Sequence, residues 1–120
     1  MINWAKSESH RLKMTVGWSW QGWRAAWATE RTLRQWTLAN ALSILLALTL
    51  DLTGAERALI IGFGLLILVA ELLNTAVEET VNRISYVDHP LAKKAKDIGS
   101  AAVAVTAITA GLIWVIVLIG

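Results

Sequence analysis

From Ala58 to Asn82 the chain reads ALIIGFGLLILVAELLNTAVEETVN. Ala58 to Ala70 carries no charge, and the remainder holds Glu71, Glu78 and Glu79. At ~1.5 Å of rise per residue the uncharged part alone is too short for a hydrocarbon layer of ~30 Å, so a spanning helix has to run on past Glu71 to about Asn82. It then carries carboxylates into the membrane. Ionisable groups within a span are costly and almost always face a protein interior or a wet cavity. Glu71, Asn74, Glu78 and Asn82 fall at i, i+3, i+7 and i+11, which is one polar stripe of a helix, flanked by Thr75 and Glu79.

Two more uncharged runs bracket this one. Ile98 to Gly120 has 23 residues, enough to cross. Trp36 to Leu50 reaches spanning length once Gln35, Leu52 and the flanking turns are included. With 56% hydrophobic and 17% charged residues in a chain of 120, the polar exterior that a soluble domain needs is missing. The expected fold is an all-α membrane protein, a single domain over 1–120. It has a surface helix over 5–28 and helices over 31–52, 56–83 and 91–119 that contain three transmembrane spans. There is no internal repeat or linker. The charged N-terminus lacks an apolar core, so no cleavable signal peptide is expected. Without cysteine there is no disulfide framework and no Cys-held metal. A net charge of +2 does not suggest a nucleic-acid partner.

The basic residues orient the chain. Lys6, Arg11, Lys13, Arg24, Arg31 and Arg34 precede the first run, and Arg83, Lys93, Lys94 and Lys96 lie between the second and third. The loop from Asp51 to Arg57 has one Arg against Asp51 and Glu56, and the C-terminus has no charged side chain. The positive-inside rule puts the N-terminus and the second loop in the cytoplasm and the C-terminus outside it. The expected location is a bacterial cytoplasmic (inner) membrane. Trp20, Trp23 and Trp27 recur at helical spacing in the N-terminal helix with Arg24 and Arg31 beside them, a composition suited to headgroup depth. Asp51 or Thr53 is available to cap the second long helix, and Pro90 suits the first turn of the last one. Gly62 and Gly64 allow close helix approach, although they are too near each other for a small-xxx-small pair.

The stripe is where chemistry is expected. Glu78 and Asn82 are nearer the cytoplasm, and Glu71 lies about 10 Å deeper, from seven residues of helical rise. A carboxylate near the surface can hold a hard cation such as Mg²⁺. One at greater depth can meet a lipid headgroup and take a proton from it. Glu30, at the cytoplasmic mouth of the first span, is a candidate second metal ligand. Lys93, Lys94 and Lys96, beside Asp97 and Ser100, offer attraction for phosphate. Each has a plainer reading: the Glu and Asn side chains as glue between helices, the lysines as orientation signals. No Walker A sequence or kinase Gly-rich loop is present, so a bound nucleotide would rely on carboxylate-held Mg²⁺ and on Lys or Arg.

Three ordered blocks resemble a known family. Residues 70–78, AELLNTAVE, look like its E-x-x-N-[ST]-A-[IV]-E signature, and residues 95–103, AKDIGSAAV, like its A-K-D-x-G-S-A-A-V. The N-terminal block with Gly17, Trp18, Trp20, Gly22, Arg24, Trp27 and Glu30 is similar as well. The family is that of the prokaryotic diacylglycerol kinases, some of whose relatives phosphorylate undecaprenol. The resemblance covers nearly the whole chain. It implies an ATP-dependent lipid kinase that converts diacylglycerol to phosphatidic acid, works as a homotrimer and shares each active site between neighbouring subunits.

Carried over by position, Glu71 resembles the proton acceptor, with Asn74 beside it as a catalytic residue. Glu30 and Glu78 resemble the pair that holds Mg²⁺ and positions ATP. Arg11, Trp18, Asp88, His89, Lys96 and Asp97 lie where the family lines its nucleotide site, and Arg11, Glu71, Ser100 and Trp36 where substrate is met. Trp36 stands where a diacylglycerol-using relative has a carboxylate, and Asn82 where the family commonly has Asp. The stretch from His89 to Lys93 leans toward the undecaprenol branch, whereas Gly99, Ser100 and the N-terminal block lean toward diacylglycerol. Undecaprenol kinase is the alternative within the class. A non-catalytic membrane assembly protein and a small transporter are more remote alternatives.

Overall fold

The computed structural model describes residues 2–120 as four helices in chain order: α1 (Ile2–Thr29), α2 (Arg31–Thr49), α3 (Gly54–Ile84) and α4 (Pro90–Ile119). α3 and α4 are 31 and 30 residues long and apolar enough to cross a membrane. α2 has 19 residues and does not meet the same standard. Where three spans were expected, length and composition therefore give two. The reason is local: α2 opens on Arg31 and Arg34 and carries Gln35 and Asn40, so its apolar part begins only at about Trp36.

Each boundary has a chemical cause. Glu30 is the single non-helical residue between α1 and α2, with extended backbone angles of φ −106° and ψ 100°. The guanidinium of Arg34 reaches back to donate to the carbonyl of Trp27, in the last turn of α1, where carbonyls lack helical partners and a cation is favoured. The turn between α2 and α3 closes on a capping box: Thr53 Oγ1 accepts from the Glu56 amide at 3.1 Å, and the Glu56 carboxylate accepts from the Thr53 amide at 2.8 Å. Arg57 then donates to the carbonyls of Ala47 and Leu50 at 2.8 and 2.9 Å, tying the end of α2 to the start of α3. At the other end of α3, Ser85 ends the helix in extended geometry and His89 caps α4, its Nδ1 accepting from the Leu91 amide at 3.0 Å with Pro90 in the first turn.

α3 is the hub. It packs against α2 and, most extensively, α4, and also touches α1, which otherwise lies against α2 alone. Lipid tails are as apolar as leucine, so helices in a membrane hold together by close packing and by hydrogen bonds worth ~0.6 kcal/mol on average. Besides the arginine bonds to carbonyls, two hydrogen bonds among the described residues join side chains of different helices. Trp114 Nε1 on α4 donates to Ser43 Oγ on α2 at 2.8 Å, and Lys96 Nζ on α4 donates to Asn82 Oδ1 on α3 at 2.8 Å. A side-chain amide also lies against a glycine at each face of α3. Asn40 of α2, only 5% exposed, occupies the space a Cβ on Gly64 would need, and Asn74 of α3 does the same at Gly99 of α4. Gly64 thus serves close approach, whereas a Cβ on Gly62 would meet open space.

Gly64→Ala should therefore loosen the α2–α3 contact. The Asn40 amide, fixed by donating to the Trp36 carbonyl at 3.0 Å, has to move. We expect a loss of about 1–3 kcal/mol, in the usual range for overpacking. Steric unfolding in mixed micelles, measured in a cycle with Asn40→Ala, should give a loss much smaller in the Asn40→Ala background; equal losses would disprove the contact's role.

Candidate active site

The polar stripe expected on the second long helix is present on α3. Glu71, 5% exposed, and Thr75, 8% exposed, are buried, and Asn74, Glu78 and Asn82 are half-buried. Helical geometry alone aligns Glu71, Asn74 and Glu78. The Nδ2 of Asn74 faces the Glu78 carboxylate at 3.4 Å, a long contact. Its Oδ1, turned toward Gly99, is buried without a hydrogen-bond partner. A buried acceptor with no donor is uncommon, and here it is the close approach of α4 at Gly99 that encloses it.

The break at Glu30 brings a third carboxylate to this stripe. Ending α1 and starting α2 on one residue leaves Glu30 half-buried at the mouth of the bundle, where its charge and that of Glu78 both reach Glu71. Among the described residues the ion pairs are Arg11–Glu8 and Lys93–Asp97, so none of these three carboxylates has a basic partner within 4 Å. The three do not by themselves form a ready-made cation site: among the described residues no three His, Asp or Glu side chains are placed to hold a metal ion together. Glu30 and Glu78 can still offer oxygen ligands to a hard divalent cation that a ligand's phosphates also hold.

Lys96 comes to the same end of the site from α4, anchored on Asn82 one turn beyond Glu78. Its neighbours differ. Lys93 is exposed and paired with Asp97 at 2.6 Å, a hydrogen bond and charge that hold its ammonium above the usual lysine range. Asp97 is consequently engaged on the outer face of α4 in the single chain, and Ser100 is exposed on that face too. Asp88 and His89 line a groove of about 540 Å³ with Val81, Ile84, Ser85 and Leu91, between the end of α3 and the start of α4. The Nδ1 of His89 is occupied by its capping bond.

Not every candidate joins the cluster. Trp36 is half-buried near the start of α2. Trp18 is exposed on α1, and Arg11 is exposed there as well, paired with Glu8 at 3.0 Å. Because α1 is one continuous helix, Arg11 lies about 28 Å from Glu30, from nineteen residues of rise. Two roles escaped the sequence reading. Gly99 was read only as part of a motif, and Asn82 as the last member of the polar stripe and a departure from the family pattern, yet the first gives Asn74 its space and the second holds Lys96. Spacing could have pointed to Gly99, which is three residues beyond Lys96 on the same face of α4.

Comparison with known proteins finds a family and close relatives. The family described as prokaryotic diacylglycerol kinase matches residues 17–118. The chain is 46% identical to a diacylglycerol kinase of Pseudomonas aeruginosa over 112 residues, 92% of this chain and 89% of the relative. It is 41% identical to the diacylglycerol kinase of Escherichia coli K12 over 108 residues, 90% and 88% of the two chains. It is 37% identical to that of Haemophilus influenzae over 106 residues, 88% and 89%.

The Gly99 contact is open to direct test. In Gly99→Ala the new methyl takes the place of the Asn74 carbonyl oxygen, so the amide has to rotate and its Nδ2 leaves Glu78. We expect the side-chain amide resonances of Asn74 to shift while those of Asn40 stay put, as seen by NMR of selectively labelled protein. Unmoved Asn74 resonances would mean that α4 yields instead of the amide.

Proposed function

This chain belongs to the prokaryotic diacylglycerol kinase family, and we infer that it transfers the γ-phosphoryl group of ATP to the hydroxyl of diacylglycerol, giving phosphatidic acid and ADP. The names of its relatives favour diacylglycerol over undecaprenol as the lipid. The observation that carries the mechanism is that Glu71 and Glu78 stand without a basic partner on α3, a helix apolar enough to span, with the charge of Glu30 also reaching Glu71.

In this mechanism Glu71 is the general base. It sits deeper than Glu78 by two turns of α3, the level a lipid hydroxyl reaches while its acyl chains stay in the bilayer. As Glu71 takes the hydroxyl proton, the hydroxyl oxygen bonds to the γ-phosphorus and the bond from phosphorus to the bridging oxygen of ADP breaks. Asn74 orients the carboxylates, its Nδ2 toward Glu78 and its Oδ1 seated against Gly99 of α4. Glu30 and Glu78 would hold Mg²⁺, which fits their all-oxygen, net-negative setting and would offset charge on the phosphates. Lys96 supplies the positive charge that a P-loop lysine supplies elsewhere. Asp88, His89, Asp97, Trp18 and Arg11 complete the nucleotide site, and Ser100 and Trp36 contact lipid.

The same reading includes a homotrimer. Arg11 and Glu30 are farther apart along α1 than a nucleotide is long, so a site that uses both draws them from different copies. It also includes α2 as a third span. With the basic residues of α1 and of the α3–α4 loop both on the cytoplasmic side of an inner membrane, and α3 crossing outward to inward, the chain has to cross once more before Gly54. α2 is the only segment between.

Two substitutions separate the roles. In Glu78→Gln the site loses one of its metal-holding carboxylates, so activity at ordinary Mg²⁺ should fall at least about tenfold, with the Mg²⁺ needed for half-activation raised. Normal lipid phosphorylation at ordinary Mg²⁺ would remove Glu78 from the metal site. In Glu71→Gln, kcat should fall roughly 10²- to 10⁴-fold, the usual share of a general base, while MgATP affinity is nearly preserved. If titration instead shows ATP affinity collapsing with turnover at saturating ATP unchanged, Glu71 belongs to the nucleotide site and the base lies elsewhere.

A further inference from the structure

Three lysines stand in the first two turns of α4, and they are held differently. Lys93 is exposed and paired along its own helix with Asp97, and Lys94 is exposed. Lys96 is half-buried, and its ammonium donates to Asn82 Oδ1 on α3 at 2.8 Å, across the α3–α4 crossing. Lysine has only donors, so it is the amide oxygen that faces it, and two of the three ammonium protons remain for other acceptors.

We propose that Asn82 is the positioning residue of the nucleotide site: its side-chain oxygen fixes the ammonium of Lys96 beside the Glu78 end of the stripe, ready for the phosphates of ATP. The inference rests on the reading of Lys96 as the phosphate-binding lysine. Three features support it. A lysine side chain has four rotatable bonds, and free in solution it surrenders that freedom on binding; one already anchored loses less, so the complex forms more readily. The anchor comes from the helix that bears Glu71 and Glu78, so a single element sets the spacing between the cation and both carboxylates. Asn82 itself follows Glu78 by four residues, on the same face.

The test is steady-state kinetics of the full-length protein in mixed micelles, with MgATP and dioctanoylglycerol varied in turn, on Asn82→Ala, Asn82→Asp, Lys96→Ala and the Asn82→Ala/Lys96→Ala double variant. Asn82→Ala should raise the KM for ATP roughly three- to tenfold, as expected for one lost charge-assisted hydrogen bond, and leave the KM for the lipid unchanged. The unchanged lipid KM also reports an intact fold. Asn82→Asp keeps an oxygen at the same place and should stay within about twofold of the unsubstituted protein in ATP KM. In the Lys96→Ala background the Asn82→Ala change should add nothing, because the two residues act as one unit. Unaltered ATP kinetics in Asn82→Ala, an Asn82→Asp as impaired as Asn82→Ala, or equal losses in both backgrounds would each overturn the proposal. If Lys96→Ala alone leaves ATP kinetics unchanged, the reading of Lys96 itself fails; if Lys96→Ala is impaired and Asn82→Ala is normal, only the role of Asn82 does.

Discussion

A polar side chain on a spanning helix has nowhere to go but inward, and that constraint organises this molecule. α3 carries Glu71, Asn74 and Thr75 at or near membrane depth, so its neighbours have to cover one face of it. α4 covers the Asn74 side and α2 the Gly64 side, and at each contact an amide meets a glycine. The arrangement is economical in physical terms. Without a hydrophobic force to drive helices together inside lipid, close backbone approach is eased where one partner lacks a Cβ. The carboxylate stripe therefore dictates where the bundle can be tight, and the tight places in turn fix the stripe.

The acidic cluster depends on a break that has no helix breaker. Neither Gly nor Pro stands near Glu30, yet the helix stops there for one residue and resumes. Charge supplies a reason. Glu30 makes no side-chain cap on α2, but the Arg34 guanidinium turns back to the Trp27 carbonyl, so the end of α1 meets the charge its dipole favours. The break sets α1, which touches only α2 and α3, apart from the bundle of α2, α3 and α4, and Glu30 is half-buried at the junction.

Much of this was legible in the sequence because it follows from period and composition. The stripe at i, i+3, i+7 and i+11 needs only helical geometry, and α3 and α4 announce themselves by length and lack of charge. Thr53 as cap and Pro90 in a first turn follow from local backbone chemistry and are found as read. α2 was harder. Its two arginines and Asn40 dilute the apolar signal, and what makes it part of the bundle is tertiary: the Arg57 bonds to its end and the Ser43 hydroxyl under Trp114. Partnerships between helices, such as Lys96 with Asn82, were not legible either. Period gives a residue's face but not which residue stands opposite, since that depends on the length of the intervening turn and the crossing of the helices.

The first turns of α4 show how one short motif can serve two surfaces. Lys96, Gly99 and Val103 recur at i, i+3 and i+7, and all three lie against the bundle: the first on Asn82, the second on Asn74, the third buried. Asp97 and Ser100, each one residue further on, are rotated by about 100° and exposed. A residue that only served packing would gain nothing from such alternation between polar positions on both faces. The inner set joins α4 to the helix that carries the carboxylates. The outer set presents polar groups on a face that the single chain leaves uncovered, beside the lysines that would draw an anionic ligand to it. Position within the helical turn, more than residue type, thus separates the groups that lie against α3 from those that face outward, and Lys96 is placed on the α3 side by its bond to Asn82.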